Sequence, residues 1–265
     1  MAIFIQKPWY KKSSGGYSGI WVPKSWSGLT NFSGGDVWTD GTDIYYSNGS
    51  SQQYVLNKST ATWSAKTWSV LKNFYGYTVW TDGTDIYYSS GYNQYVLDKT
   101  TSTWSRKTWS GLTSFDGQYI WTDGTDIYYS NNANQYVLDK STSTWSTKTW
   151  AGLTSFRGNY VWTDGTDIYW SSGYQYVLDK ATSTWSAKTW SGLPSPSGNN
   201  VWTDGTNIYY SYRSQSVSQQ YVLDKATSTW TAKTWSGLTD FNGAYVWKDG
   251  DHIYYSYSGT NYELT

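Results

Sequence analysis

The tetrapeptide Trp-Thr-Asp-Gly begins at Trp38, Trp80, Trp121, Trp162 and Trp202, and a variant, Trp-Lys-Asp-Gly, begins at Trp247. The spacings are 42, 41, 41, 40 and 45 residues. Self-similarity at such a period restricts a chain to a solenoid, a propeller or an array of like units. A second phrase, Trp-Ser-x-Lys-Thr-Trp, starts at Trp63, Trp104, Trp145 and Trp185, with Trp-Thr-Ala-Lys-Thr-Trp at Trp230. That gives six copies of one phrase and five of the other. The sixth copy of the second stands at the front, where Trp21-Val22-Pro23-Lys24-Ser25-Trp26-Ser27-Gly28-Leu29 aligns with Trp104-Ser105-Arg106-Lys107-Thr108-Trp109-Ser110-Gly111-Leu112. The last repeat stops at Tyr262-Glu263-Leu264, half-way through a phrase that elsewhere runs on to a tryptophan. The segment at Trp21 is therefore expected to complete the last repeat. An open solenoid would favour distinct end caps instead.

Each repeat reads as four short strands. In the second, residues 77–81 (Tyr-Thr-Val-Trp-Thr) are rich in β-branched and aromatic types, which favour strands. Asp82-Gly83 is a strong hairpin signal. Residues 85–89 and 94–97 form the next two strands, and 104–109 the fourth. The runs Ile86-Tyr87-Tyr88 and Tyr95-Val96-Leu97 are apolar on both faces, as sheets packed on both sides require. No convincing 3.6-residue period appears. The fold expected is all-β: a six-bladed β-propeller of four-stranded antiparallel blades over residues 20–265, closed by an N-terminal strand completing the last blade. Residues 1–19 stand outside the repeat as an arm.

Composition removes several function classes. The 19 basic and 19 acidic side chains balance, whereas a nucleic-acid binder carries a basic excess or stripe. Cysteine is absent, which excludes a cysteine-based metal site. No apolar run reaches the roughly 20 residues of a spanning helix, and mean hydropathy is −0.65, so no membrane insertion is expected. The N-terminus shows no basic stretch followed by an apolar one, so no secretory leader is expected and Met1 reads as the natural start.

The run Asp82-Gly83-Thr84-Asp85-Ile86-Tyr87-Tyr88, then Gln94-Tyr95-Val96-Leu97-Asp98, then Thr103-Trp104, resembles the kelch repeat. The resemblance covers nearly the whole chain from about Trp21. It differs in two respects: Ser89-Ser90, Ser130-Asn131 and Ser171-Ser172 stand where kelch repeats usually carry Gly-Gly, and the period is shorter than the usual ~50 residues. The sequence is also similar to aromatic-rich propeller repeats in structural and host-recognition proteins of bacteriophages. Both resemblances imply scaffolding and binding.

Candidates for chemistry are few. His252 is the single histidine, and any histidine-dependent triad would pass through it. Its counterparts in other repeats are Asp43, Asp85, Asp126, Asp167 and Asn207, so an exposed turn position is expected. The pairs Asp40/Asp43, Asp82/Asp85, Asp123/Asp126 and Asp164/Asp167 could in principle serve as calcium ligands or as a glycosidase acid and base. Their even repetition points to turn structure instead. The first Asp would make the Asp-Gly turn, and the second would cap the next strand through a backbone bond. No catalytic residue, metal or cofactor is expected.

Binding is the better prospect, because 20 Trp and 28 Tyr far exceed the needs of a core. Roughly two thirds of the tryptophans are expected to pack between blades. Aromatics that vary between repeats are expected to be exposed and to bind: Tyr92, Trp170, Tyr174, Tyr212 and Tyr257. No repeat offers Arg or Glu at a fixed place. In the arm, Ile3, Phe4, Ile5, Trp9 and Tyr10 form a candidate docking segment, with Gly15-Gly16 as a hinge. The function expected is that of a non-enzymatic structural or recognition component of a phage virion, on tail, baseplate or capsid. Its partners would be other virion proteins and a host-surface glycan. A multivalent lectin and an intracellular kelch-type scaffold are the alternatives, with cytoplasmic or extracellular locations.

Overall fold

The first and second strands of every blade meet through a tryptophan laid on a tyrosine. Trp80 stacks on Tyr87 with centroids 4.3 Å apart, and Trp38 on Tyr45, Trp121 on Tyr128 and Trp162 on Tyr169 repeat that distance. The computed structural model describes residues 17–265 except 31, 33–35, 49–51, 72–73, 75–78, 118, 132–133, 154–155, 159, 172, 194–200, 214–217, 239–240, 242–244 and 258, and the side chains of 212, 213 and 257. All regular structure among the described residues is β-strand. The fold is a six-bladed β-propeller, each blade a four-stranded antiparallel sheet. Blade 2 shows the pattern, with strands Val79–Thr81, Ile86–Ser90, Asn93–Asp98 and Thr103–Lys107 paired in sequence order.

The chain divides into two compact units of three blades. One, Asp36–Asn159, holds blades 1 to 3. The other holds blades 4 to 6 in Tyr160–Thr265, together with the N-terminal residues from 17 on. Within this second unit the strand Trp21–Pro23 completes blade 6, pairing Trp21 with Leu264, Val22 with Glu263 and Pro23 with Tyr262. The wraparound expected from the repeat count is thus present. Residues 17–20 reinforce it: the Gly19 amide donates to the Thr265 carbonyl at 3.1 Å, and the Thr265 amide to the Ile20 carbonyl at 2.9 Å.

Within each unit, the tryptophan that ends one blade packs on the next blade. Trp68 follows the last strand of blade 1 and sits 5.2 Å from Tyr45 of that blade and 5.7 Å from Trp104 of blade 2. Trp38, Phe74, Tyr88, Leu97 and Trp104 fill the same cluster. In the second unit, Trp21 makes the equivalent contacts with Trp202, Trp235 and Phe241. Such edge-to-face and tilted aromatic pairs each add about 0.5–1.5 kcal/mol beyond area burial. None of the 19 described tryptophans is exposed. Packing therefore claims more of them than the two thirds expected.

Backbone contact between blades 2 and 3 runs past a glycine. The Trp145 amide donates to the Ser110 carbonyl at 2.9 Å, and Gly111 follows with φ +81°. A β-carbon on Gly111 would come 1.9 Å from the Trp145 carbonyl oxygen. At Gly111 any side chain would meet both the left-handed backbone and that close approach, which glycine avoids; Val70 holds the equivalent place after blade 1.

Candidate binding surface

Every blade has two ends, and they differ in kind. At one end, the first and second strands are joined by Asp-Gly-Thr-Asp in blades 1 to 4 and by Asp-Gly-Thr-Asn in blade 5. At the other end, the second and third strands are joined by residues 48–52, 91–92, 132–133, 172–174, 214–217 and 258–259, which differ in length and type. The first is called here the turn end, the second the hairpin end.

The turn end is consumed by its own hydrogen bonds. Asp82 Oδ1 accepts from the amides of Thr84 and Asp85 at 2.9 and 2.8 Å. The Thr81 hydroxyl donates to the Asp85 carbonyl at 2.7 Å and accepts from the Gly83 amide at 3.0 Å. The Tyr87 hydroxyl donates to Asp82 Oδ2 at 3.1 Å and lies 3.4 Å from Asp85 Oδ2. The second aspartate therefore meets the tyrosine hydroxyl, where a backbone cap was expected. Burial, and then the two carboxylates against its hydroxyl, push Tyr87 far above the ordinary tyrosine range, and Tyr45, Tyr128 and Tyr169 are raised in the same way. Lysines of the neighbouring turn tie blades together within each unit: Lys140 donates to the Asp82 carbonyl at 2.9 Å, and Lys225 to the Asp164 carbonyl at 2.6 Å.

The same logic covers the Asp-Lys turn. Asp98 accepts from the Thr101 hydroxyl at 2.7 Å and from the Thr100 amide at 2.9 Å. These bonds, the Thr101 hydroxyl first, hold its carboxyl below the usual range. Groups so engaged are poorly placed to serve as metal ligands or proton carriers. No cluster of three or more His, Asp or Glu side chains gathers among the described residues.

Among the described residues, the exposed tyrosines lie at the hairpin end. Tyr92 and Tyr174 stand at hairpin tips, each 75% exposed, and Tyr119 and Tyr245 are exposed where the chain enters a first strand. Trp170 corrects the expectation of exposure: it is only 7% exposed. It lies in the strand Ile168–Ser171 at the place that Tyr46, Tyr88 and Tyr129 hold in other blades, and it stacks on Tyr176 at 5.5 Å. Its variation exchanges one interior ring for another. Tyr212 and Tyr257 lie in second strands, opposite Gln219 and Thr260, with side chains outside the described residues. Ile3, Phe4, Ile5, Trp9 and Tyr10 also fall outside them.

Two groupings escaped sequence reasoning. In blade 2, Arg106 Nη2 donates to Asn93 Oδ1 at 2.9 Å, beside Tyr92. The counterparts of Arg106 are Pro23, Ala65, Thr147, Ala187 and Ala232, so its singularity was a usable signal. In blade 6, the single histidine and the single glutamate of the chain meet, His252 Nδ1 lying 2.5 Å from Glu263 Oε1. Lys24 donates to the other oxygen of Glu263 at 2.8 Å. His252 thus begins a strand and is paired, where a plain turn residue was expected.

No protein-family model matches the chain, and a search of curated proteins returned no match.

Proposed function

We propose that the protein is a non-enzymatic recognition component that presents the hairpin ends of its blades to a partner. One observation carries this reading. The turn ends are nearly invariant across repeats and satisfied internally, while varied loops and the most exposed tyrosines gather at the hairpin ends. Divergence confined to surface loops on a fixed scaffold is how binding proteins acquire specificity. Tyrosine suits the role, offering a broad rigid face and a polar tip.

The setting proposed is a phage particle, with the propeller carried on tail, baseplate or capsid and acting on virion proteins or the host surface. The resemblance to aromatic-rich phage propeller repeats supports that setting, and residues 1–15 would serve as the docking arm. A multivalent lectin is the second reading, favoured by the solvent-facing rings of Tyr92 and Tyr174. A kelch-like interaction scaffold would use the same surface.

The test is a pair of variants. Changing Tyr92 and Tyr174 together to Ala is expected to abolish binding to particle or host cell while leaving the protein folded. The turn-end substitution Thr100→Ala is expected to change neither. Equal binding by both variants would overturn the assignment. Deleting residues 1–15 should remove incorporation into particles and leave cell binding intact.

A further inference from the structure

We propose that the hairpin end of blade 2 is a site for a carboxylate-bearing saccharide, with Tyr92 as the stacking platform and Arg106 as the carboxylate anchor. The inference rests on the recognition role proposed above and goes further by naming a ligand class and a single blade.

Blade 2 combines two features found together nowhere else in the repeats. Blades 2 and 4 both carry a tyrosine at the hairpin tip, Tyr92 and Tyr174, each 75% exposed. Only blade 2 has an arginine on its outer strand, since blade 4 has Ala187 at that position. The strand register sets Arg106 directly opposite Tyr95. Its guanidinium reaches toward the tip and donates to Asn93 Oδ1 at 2.9 Å. Asn93 is the residue after Tyr92 and pairs with Ser90 across the hairpin.

This geometry orients Arg106 without neutralising it. An amide oxygen holds one of its nitrogens, and no carboxylate pairs with it among the described residues. The neighbouring Lys107 is committed elsewhere, 4.7 Å above the Trp109 ring and 2.8 Å from the Ser143 hydroxyl. Arg106 is exposed, and a guanidinium carries five donors in a planar fork that matches a carboxylate. The ring of Tyr92 is exposed, and an aromatic face packs against the carbon-bound hydrogens of a sugar. The rest of the tip, Ser90, Gly91 and Asn93, is small and polar. It offers hydroxyl and amide partners to a sugar but no apolar pocket for peptide side chains, which argues against an acidic peptide.

The experiment is a titration of the full-length protein with trigalacturonate and 3′-sialyllactose. Lactose serves as the neutral control and an oligoaspartate peptide as the acidic one. Either acidic sugar should bind, with lactose weaker by about tenfold or more because it lacks the charge that pairs with Arg106, and the peptide weaker by a similar factor because it has no sugar face for Tyr92. Arg106→Ala and Tyr92→Ala should each remove binding, Arg106→Lys should weaken it, and Tyr174→Ala should not change it. Binding that survives Arg106→Ala, favours the peptide, or depends equally on Tyr174 would overturn the proposal. So would an absence of sugar binding. In that last case, loss of particle or cell binding by the Tyr92 and Tyr174 double variant would leave the broader recognition role standing, which keeps the two failures distinguishable.

Discussion

Lys24 and Glu263, 239 residues apart in the chain, meet at 2.8 Å across the seam that joins the N-terminal strand to blade 6. Burial raises the Glu263 carboxyl, but the bonds from Lys24 and His252 outweigh it and leave its value below the ordinary 4.5. An acid with a depressed folded value contributes stability above its unfolded value. That contribution is lost as pH falls through the folded one. The glutamate is partly solvated, so the contribution is about 1 kcal/mol at most. Glu263→Gln should therefore lower the thermal midpoint slightly at pH 7, with the deficit shrinking at an acid pH below the carboxylate range. An unchanged deficit at both pH values would show that the carboxylate charge is not what the seam uses.

Val70 occupies the place of Gly28, Gly111, Gly152, Gly192 and Gly237, and like them it has positive φ, at 78°. It is 71% exposed, so its side chain gains little from packing. A β-branched residue in the left-handed region stores about 1–3 kcal/mol. Val70→Gly is expected to raise the unfolding free energy by up to about that amount, read as a higher urea midpoint at unchanged slope. The reverse change, Gly111→Val, should cost about 3 kcal/mol or more, because the new β-carbon would strike the Trp145 carbonyl at 1.9 Å. A neutral Val70→Gly would mean that the residue is not strained.

Much of the architecture was legible in the sequence because each structural job is repeated in nearly the same words. Six Asp-Gly turns, six tryptophan-led strands and the displaced phrase at Trp21 suffice to place the strands and the seam. The surface was harder to read. Blade strands are buried on both faces, so alternation cannot tell an interior variable position from an exposed one, and Trp170 was misjudged on that ground. The Lys24–Glu263–His252 grouping was within reach: aligning Glu263 with Val96 sets it opposite Val22, two residues from Lys24. The Arg106–Asn93 bond depends on a side chain reaching back along the hairpin, which register alone does not fix.

Asn261 stands where other blades carry glutamine. Gln94 accepts from the Ser89 hydroxyl at 2.5 Å and donates to the Phe115 carbonyl at 2.9 Å, and Gln53, Gln135 and Gln220 make the same two bonds. Asn261 is one methylene shorter, and its Oδ1 is buried with no hydrogen-bond partner. An unsatisfied buried acceptor costs about 1–3 kcal/mol. Asn261→Gln should restore the bond from Ser256 and raise stability by about 1 kcal/mol in chemical denaturation. A loss of stability would show that blade 6 is too narrow for the longer side chain.

The seam also predicts a contrast between adjacent residues of one three-residue strand. Trp21 is fully buried among Trp202, Trp235, Phe241 and Tyr255, at centroid distances of 6.1, 5.9, 5.2 and 6.1 Å. Its backbone is held as well, its amide donating to the Ser236 carbonyl at 2.9 Å. Val22, the next residue, points to solvent. Trp21→Ala removes a large interior ring and should cost about 3–5 kcal/mol, and hydrogen exchange should show the strands of blade 6 losing protection first. Val22→Ala should change stability by less than about 0.5 kcal/mol. If both substitutions were equally mild, the N-terminal strand would be an ornament on blade 6, and the stability of that blade would have to come from its own three strands.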